Sequence, residues 1–546
     1  MEAPSTQERS VFDALLAERN TSSAGEASLQ RLTASHSCLN EKYRVSARIY
    51  ERQYAPLYFA RLQTLKGPIQ AQAEALWPDL ELTKILDVPE GREVIVIGTV
   101  YKEMKLKPTI LDEYNKDRGL RAALAGTDFC SESDSIALED DGARMVVRGP
   151  CIPVQQLVTG VVMAVRGFNE PGGDFVVSDV CFAAPAPQPA APPLQPFESA
   201  GSGPARSSDK YVALMSGLAV GSPSTNVLQL QLAVDFLTGV LGSPAEQQLA
   251  SQVVRLIIAG GDRGSDGRHR WAHHLLEAVA AEHRAATHQP RPALDAPGTR
   301  ALTAALTRAS PATHLGRAQM LAAWVRVLRA LRSGECHSAC SLPGTHEQAP
   351  ADMDMCLSEL AAALPIDLMP GAEDPTNTAL PQQPLHRCLF PGAARFASLT
   401  RVTNPHELEL DGVRLLGTGG QNLDDIAKYS RHEDRLAMMQ HCLQWRHLAP
   451  TAPETLTCYP FNALDPFILK QTPHVMFTGN QPTFMTSLVP AASPSGSSQD
   501  MEADLSQQPS VRLIAIPSFS KTGTIVLLNL RTLQCHPMTF DTSMST

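Results

Sequence analysis

The sequence predicts a chain of α+β character in two parts: a small closed β-barrel, then a layered α/β domain. Three observations carry that expectation. Four β-branched runs bounded by Gly, Pro and Asp crowd residues 93–182. A Pro/Ala-rich and then Gly/Ser-rich stretch, 183–209, breaks the pattern. Beyond it apolar strands alternate with helical stretches, and four of those strands run straight into a glycine-bearing loop.

Taken in order, residues 1–40 are polar and rich in Ser and Thr, and are expected to be a flexible lead-in. The opening stretch carries acidic residues and no long apolar segment, so it does not read as a secretory signal. Tyr50, Tyr54, Leu57, Tyr58, Leu62 and Leu65 then recur at helical spacing. Proline is poorly tolerated inside a helix, so this one is expected to start or kink at Pro56. Its aromatic face is expected to pack on the body of the protein rather than to stack on bases. The runs "EVIVIGTVY" (93–101), "ARMVVRG" (143–149), "GVVMAVRGF" (160–168) and "DFVVSDVCF" (174–182) follow as strands. Asn169-Glu170-Pro171-Gly172-Gly173 joins the last two like a hairpin loop. Short strands with such turns fit a closed barrel of the OB type, and helix plus barrel are assigned to 41–182. Many OB barrels bind single strands on aromatic platforms in a basic groove. These strands carry few aromatics and little positive charge, so protein docking is the expectation here.

The 183–209 stretch cannot bury a core and reads as a semi-extended linker. Residues 210–546 form the second domain. "YVALMSG" is a buried strand, "NVLQLQLAVDFLTGVL" a helix and "VVRLIIAGG" a second strand. Residues 262–350 are an Ala-, Arg- and His-rich expansion with helical stretches. "LSELAAALPIDLMPG" gives a helix and a third strand, and "HELELDGVRLLGT" two strands around an Asp411-Gly412 hairpin turn. "GTGGQN" (417–422) looks like a phosphate loop but lacks the Lys-Ser/Thr ending, so it reads as a strand-to-helix turn. "HEDRLAMMQHCLQWRHL" is helical, "HVMFTGN" is a strand, and "VRLIAIPSF" with "GTIVLLNLRT" closes the chain with β structure. The polar insert 491–510 is expected to be disordered.

Composition narrows the function classes. Among 546 residues, 46 basic against 56 acidic side chains leave a net charge of -10, with no run of four basic residues. Nucleic acids are held largely by Lys and Arg displacing counterions, which disfavours unaided binding. No apolar run approaches the ~18–20 residues needed to cross a bilayer. The eleven cysteines are scattered without a C-x-x-C pair, the usage of a reducing compartment. The one close pair, Cys336 and Cys340 around His337, lacks the second half of a zinc site.

The four glycine-loop strands are "VALMSGLAVG", "LIIAGGDRG", "DLMPGAED" and "VMFTGNQP". In layered α/β folds, chemistry gathers where such strand ends converge. This layout resembles the calcineurin-like phosphoesterase family, whose metal motifs can be laid over the loops. The opening D-x-H falls on Ser216, Gly217 and Leu218. The bridging Asp of G-D-x-x-D falls on Gly261; sliding by one reaches Asp262, but Asp266 then lies one position too far along. The G-N-H-D loop becomes Gly371, Ala372, Glu373 and Asp374, with Ala372 for the metal-binding Asn and Glu373 for the catalytic His. The closing G-H-x-H becomes Gly479, Asn480, Gln481 and Pro482, and His447 matches the isolated His. Two cations ~3.5–4 Å apart need several hard oxygen and imidazole ligands. Leu and Pro cannot ligate, and Ala offers no side-chain donor. The resemblance thus implies an α/β/β/α sandwich that is catalytically degenerate, with no metal, no cofactor and no catalytic residue. Asp374 is expected to bond nearby backbone N–H groups in the turn before Pro375.

An inactive phosphoesterase fold behind an OB barrel resembles the small (second, or B) regulatory subunits of replicative DNA polymerases, above all those of DNA polymerase delta. The segments that carry the likeness are "RQYAPLYFARL", "LVTGVVMAV", "MPGAEDPTNTALPQQPLH", "VTNPHELELDGVRLLGTGGQN", "HLAPTAPETLTCYPF" and "PHVMFTGNQP". The 262–350 expansion departs from the family's usual length. The resemblance implies a nuclear scaffold without enzymatic activity. It would hold the C-terminal cysteine-rich domain of the catalytic subunit and bridge to the third subunit, and so reach the sliding clamp indirectly and DNA only through the complex. Two other classes stay open: a metallophosphoesterase or nuclease with the non-standard ligands Glu373, Asp374 and Asp262, and an OB-fold single-strand binder acting alone. The small subunit of polymerase epsilon or alpha is the nearest alternative within the leading class.

Overall fold

The computed structural model describes residues 29–46, 49, 51–108, 128–170, 174–190, 209–222, 225–261, 348–491 and 509–542. Asp262, Asp266, Cys336, His337 and Cys340 lie outside them, as do most of the expansion and of the 491–510 insert.

Strand β1 (His36–Cys38) precedes the first long helix, α1 (Ala55–Leu76), which carries Pro56 in its first turn, where a missing N–H costs nothing. Its stripe Leu57, Leu62, Leu65, Ile69 and Ala73 is buried against the barrel. The barrel is built from β2 (Val94–Glu103), β3 (Ser135–Glu139), β4 (Arg144–Arg148), β5 (Val162–Asn169) and β6 (Phe175–Cys181), closed in the order β2-β3-β4-β6-β5. In β4, Met145 and Val147 point inward while Arg144, Val146 and Arg148 point out, the period-two alternation of a strand with one wet face.

The second domain starts with β7 (Tyr211–Met215), helices α2 (Val227–Thr238) and α3 (Pro244–Gln252), then β8 (Val253–Ala259). Asn226 caps α2, accepting from Leu228 N and Gln229 N, and Gly239 ends it in the left-handed region. Helix α4 (Gln348–Ala363) leads to β9 (Ile366–Met369), β10 (Leu399–Arg401), β11 (His406–Leu410) and β12 (Val413–Thr418). Helices α5 (Gln421–Tyr429) and α6 (Arg435–Gln444) follow, then β13 (Val475–Gln481), β14 (Met485–Pro490), β15 (Ser510–Pro517), the short α7 (Phe519–Thr522), β16 (Thr524–Asn529) and β17 (Cys535–Thr539). The β11–β12 hairpin turns at Asp411 and Gly412, both with positive φ, as a two-residue turn of this kind requires.

Two six-stranded sheets result, ordered β1-β11-β12-β13-β15-β14 and β10-β9-β8-β7-β16-β17. Their facing sides interlock through Val212, Leu214, Ile257 and Met369 against Leu408, Leu415, Phe477 and Ile514. The outer face of the second sheet packs on α2, α3 and α4 through Ala213, Leu256 and Ile258. The outer face of the first packs on α5 and α6, and there one continuous apolar core runs on into the barrel, joining Leu416, Met439 and Leu513 to Leu138, Met163 and Phe175. Helices, sheet, sheet and helices stack in that order, with the barrel set against the last layer.

Two expectations for the connecting segments fail. The lead-in is not free from Arg31 onward: β1 pairs antiparallel with β11, and Arg31 donates to the carbonyls of Leu237, Ala250 and Val253 at 2.6–2.8 Å. The first part of the linker is likewise tied down. Arg446 donates to the carbonyl oxygens of Ala184 and Pro185, Thr472 to that of Ala186, and Gln188 to those of Pro473 and Ser510. Both segments lack apolar periodicity; strand pairing holds the first, and hydrogen bonds from side chains to carbonyls hold both.

Candidate functional site

The carboxyl ends of β7, β8, β9, β12 and β13 meet at one crevice, as the glycine loops imply. Its walls are already tied to one another. Ser216 Oγ donates to Pro517 O at 3.0 Å and accepts from Asn480 N at 2.9 Å. Gly217 N donates to Gly260 O at 2.8 Å. One carboxylate oxygen of Asp374, Oδ2, accepts from Gly371 N at 2.7 Å and from Gly261 N at 2.9 Å, bridging the loops after β8 and β9. Those two loops touch backbone to backbone: a Cβ on Gly260 would stand 3.0 Å from Gly371 Cα.

Amides fill the rest. Asn480, at φ +58°, donates through Nδ2 to Gly419 O at 2.9 Å. Gln382 donates to Gly371 O at 2.8 Å, and its Oε1 accepts from Asn404 and Gln421, both at 2.8 Å. The "GTGGQN" stretch is the strand-to-helix turn between β12 and α5. Gly420 is needed there because its φ is +106° and a Cβ would lie 2.4 Å from Gly479 O.

Of the residues the motifs single out, the structure therefore brings together Ser216, Gly261, Asp374 and Asn480. Leu218 lines a small apolar pocket beside them with Val220, Met353 and Phe390. Ala372 and Pro482 are exposed, and Glu373 is half-buried. His447 is elsewhere. It is buried at the joint with the barrel, where Nε2 donates to Asp465 Oδ2 at 2.8 Å and Nδ1 accepts from Ala449 N at 3.2 Å. With both ring nitrogens engaged, it has no lone pair left for a metal. Burial, with the nearby Arg61 charge, lowers the His447 pKa, so the ring is neutral at pH 7. Burial also opposes ionisation of Asp465, but His447 and Arg61 overcome it and hold the carboxyl well below the usual carboxylate range. Among the described residues, no three His, Cys, Asp or Glu side chains cluster so as to hold a metal ion.

The sequence reading missed Arg61 and Asp465, and the amides Gln382, Asn404 and Gln421. For Arg61 a signal existed, since it occupies a core position of the Leu57–Leu65 helical stripe. For the amides no pattern was available, because their partners are brought together only by the fold.

Comparison with known proteins agrees with this layout. A family model described as "DNA polymerase delta subunit OB-fold domain" matches residues 53–180, and the model of the B-type subunits of DNA polymerases alpha and epsilon matches residues 334–486. A "DNA polymerase delta small subunit" of Oryza sativa subsp. japonica is 36% identical over 516 residues, 94% of this chain and 99% of that protein. The Arabidopsis thaliana protein of the same name is 35% identical over 94% of this chain and 98% of its own. A Drosophila melanogaster "DNA polymerase delta subunit 2" is 30% identical over 94% and 98%. The chain belongs to the DNA polymerase delta small-subunit family.

In this family member the basic side chains of the barrel strands are each paired with a carboxylate, buried Lys102 with Asp134 at 3.8 Å among them. Arg148 pairs with Asp174 at 2.9 Å, Arg166 with Glu93 at 3.0 Å, and Lys84 with Asp141 at 3.3 Å. Arg144 pairs with Glu139 and lies 4.1 Å over the Tyr101 ring, covering an aromatic on the barrel's outer face. Each such pair adds little stability, but each cancels a charge that a phosphate would need. Among the described residues no helix is long and apolar enough to cross a membrane.

Proposed function

We propose that this chain is the non-catalytic scaffold subunit of a nuclear DNA polymerase delta, acting in DNA replication and repair synthesis. It would hold the C-terminal cysteine-rich domain of the catalytic subunit and link it to the third subunit, which engages the sliding clamp. DNA is then reached through the complex. The observation that carries this reading is the end-to-end match to polymerase delta small subunits, 94% of this chain against 99% of the rice protein.

The same reading takes residues 210–546 as a calcineurin-like phosphoesterase sandwich that has lost its chemistry. What supports it is the donor inventory of the crevice. Ser216, Gly261, Ala372 and Pro482 stand where ligands belong, and among the described residues the carboxylate best placed in the crevice, Asp374, accepts from two backbone N–H groups. A body of this kind suits a holder of other subunits, whose obligate interfaces commonly bury ~2,000 Å² or more.

Co-expression with a polymerase delta catalytic subunit tests the proposal. The expected outcome is a complex that survives gel filtration and is lost when the cysteine-rich C-terminal domain of that subunit is deleted. Failure to form the complex, or formation indifferent to that deletion, contradicts it.

A further inference from the structure

The scaffold reading leaves open how two bodies, barrel and sandwich, keep a fixed mutual orientation. Arg61 answers this. It projects from α1, the barrel's own helix, and its side chain is 0% exposed. Its guanidinium donates from Nε to Asp465 Oδ2 at 2.8 Å, from Nη1 to Pro450 O at 2.8 Å and Gly160 O at 3.1 Å, and from Nη2 to Ala452 O at 2.6 Å. Gly160 belongs to the barrel; Pro450, Ala452 and Asp465 belong to the segment after α6. Asp465 is in turn fixed by His447 Nε2 at 2.8 Å. The backbone approach is equally close: Gly160 has φ +94°, and a Cβ there would lie 2.1 Å from Pro450 O and 2.6 Å from Arg61 Nη1. A second tie lies across the same junction, where buried Lys102 of β2 donates to Tyr429 O at 2.9 Å and Phe129 stacks on Tyr429 at 5.5 Å.

A buried guanidinium is costly to bring out of water, and it is retained only where its donors and counter-charge are met together. Arg61 meets them only when barrel and sandwich are docked in one geometry. We infer that Arg61, Asp465 and His447 form a joint that locks barrel and sandwich into one cooperative body. A subunit held by one part is thereby oriented with respect to a subunit held by the other. This deepens the scaffold reading and rests on it for its consequence, while the joint itself is testable alone.

The test is hydrogen exchange of the full chain against urea, read on barrel strands β2 and β5 and on sandwich strands β8 and β13. In the unaltered protein the barrel and sandwich amides are expected to share one opening midpoint. In Arg61→Met, and in Gly160→Ala, the barrel amides are expected to open at a lower urea concentration than the sandwich amides. Phe477→Leu, in the core between the sheets, is expected to lower both midpoints together. Should Arg61→Met not fold, Gly160→Ala and Asp465→Asn carry the same reading. Separate midpoints in the unaltered chain, or a shared midpoint in every folded joint variant, overturn the inference. The unaltered chain's capture of the catalytic subunit is scored separately. Its failure beside coincident midpoints sinks the scaffold reading and leaves the joint standing, and the reverse result does the opposite.

Discussion

At the scale of single residues, the structure gives two tempting chemical groups hydrogen-bond partners within the protein. Asp374 holds the loops after β8 and β9 together by accepting from Gly371 N and Gly261 N. Asp374→Ala strips both donors of their partner, and leaving such groups unmet costs about 1–3 kcal/mol. Asp374→Asn keeps an acceptor and should retain most of that stability. Urea unfolding of the two variants checks the order, and equal stabilities would contradict the bridging role. That Asp374 bonds backbone N–H groups was legible from its place before a proline. That one of those N–H groups belongs to Gly261, 113 residues earlier, was not. Local sequence specifies an acceptor, while only the parallel pairing of β8 with β9 decides which donor reaches it. His447 shows the same limit. Its position invited comparison with a metal ligand, yet its meaning depends on Asp465 and Arg61, which no spacing rule connects to it.

Among elements, long periodic segments were legible and short ones were not. Helix α1, the β11–β12 hairpin and the strands that run into glycine loops carry their own signals of stripe, turn and β-branching. Strand β1 carries none: His36, Ser37 and Cys38 are all exposed, and the strand exists because β11 offers an unpaired edge. Helix α3 is too polar to show a stripe, though its signal was present. Ser243 and Glu246 form a capping box around Pro244 in the first turn. The N-terminal segment spans both sheets, from Arg31 at the carbonyls of Leu237, Ala250 and Val253 to β1 on β11 and Asn40 on His406 Nδ1 at 2.8 Å. Removing residues 1–40 should therefore lower the thermal midpoint clearly, and Arg31→Ala should account for about 1–3 kcal/mol of the loss. A truncated chain as stable as the full one would return this segment to the status of a loose leader.

The whole molecule should be sensitive to acid in a definite sense. Burial lowers the pKa of His36, His441, His447 and His474, and with the neighbouring His441 pushes that of His432 down to about 4. Below the ordinary histidine value of about 6.5 the unfolded chain takes up protons that the folded one refuses, so stability falls as pH drops from there towards 4. Asp425, whose carboxyl burial raises, works in the opposite sense but is the one such carboxyl among the described residues. Urea midpoints at pH 5 should lie below those at pH 7.5 with an unchanged slope, and a higher midpoint at pH 5 would contradict this. The two-part architecture was legible because composition breaks between the parts. The single core that fuses them was not, since it is assembled from residues as distant as Leu138 and Met439.

The most direct test of the proposed loss of chemistry at the crevice is metal content after equilibrium dialysis of the isolated chain against Mn²⁺, measured by mass spectrometry. The expected result is well under one ion per chain, unchanged by Asp374→Ala. Two ions per chain, lost in that variant, would show that the strand ends still grip a metal pair.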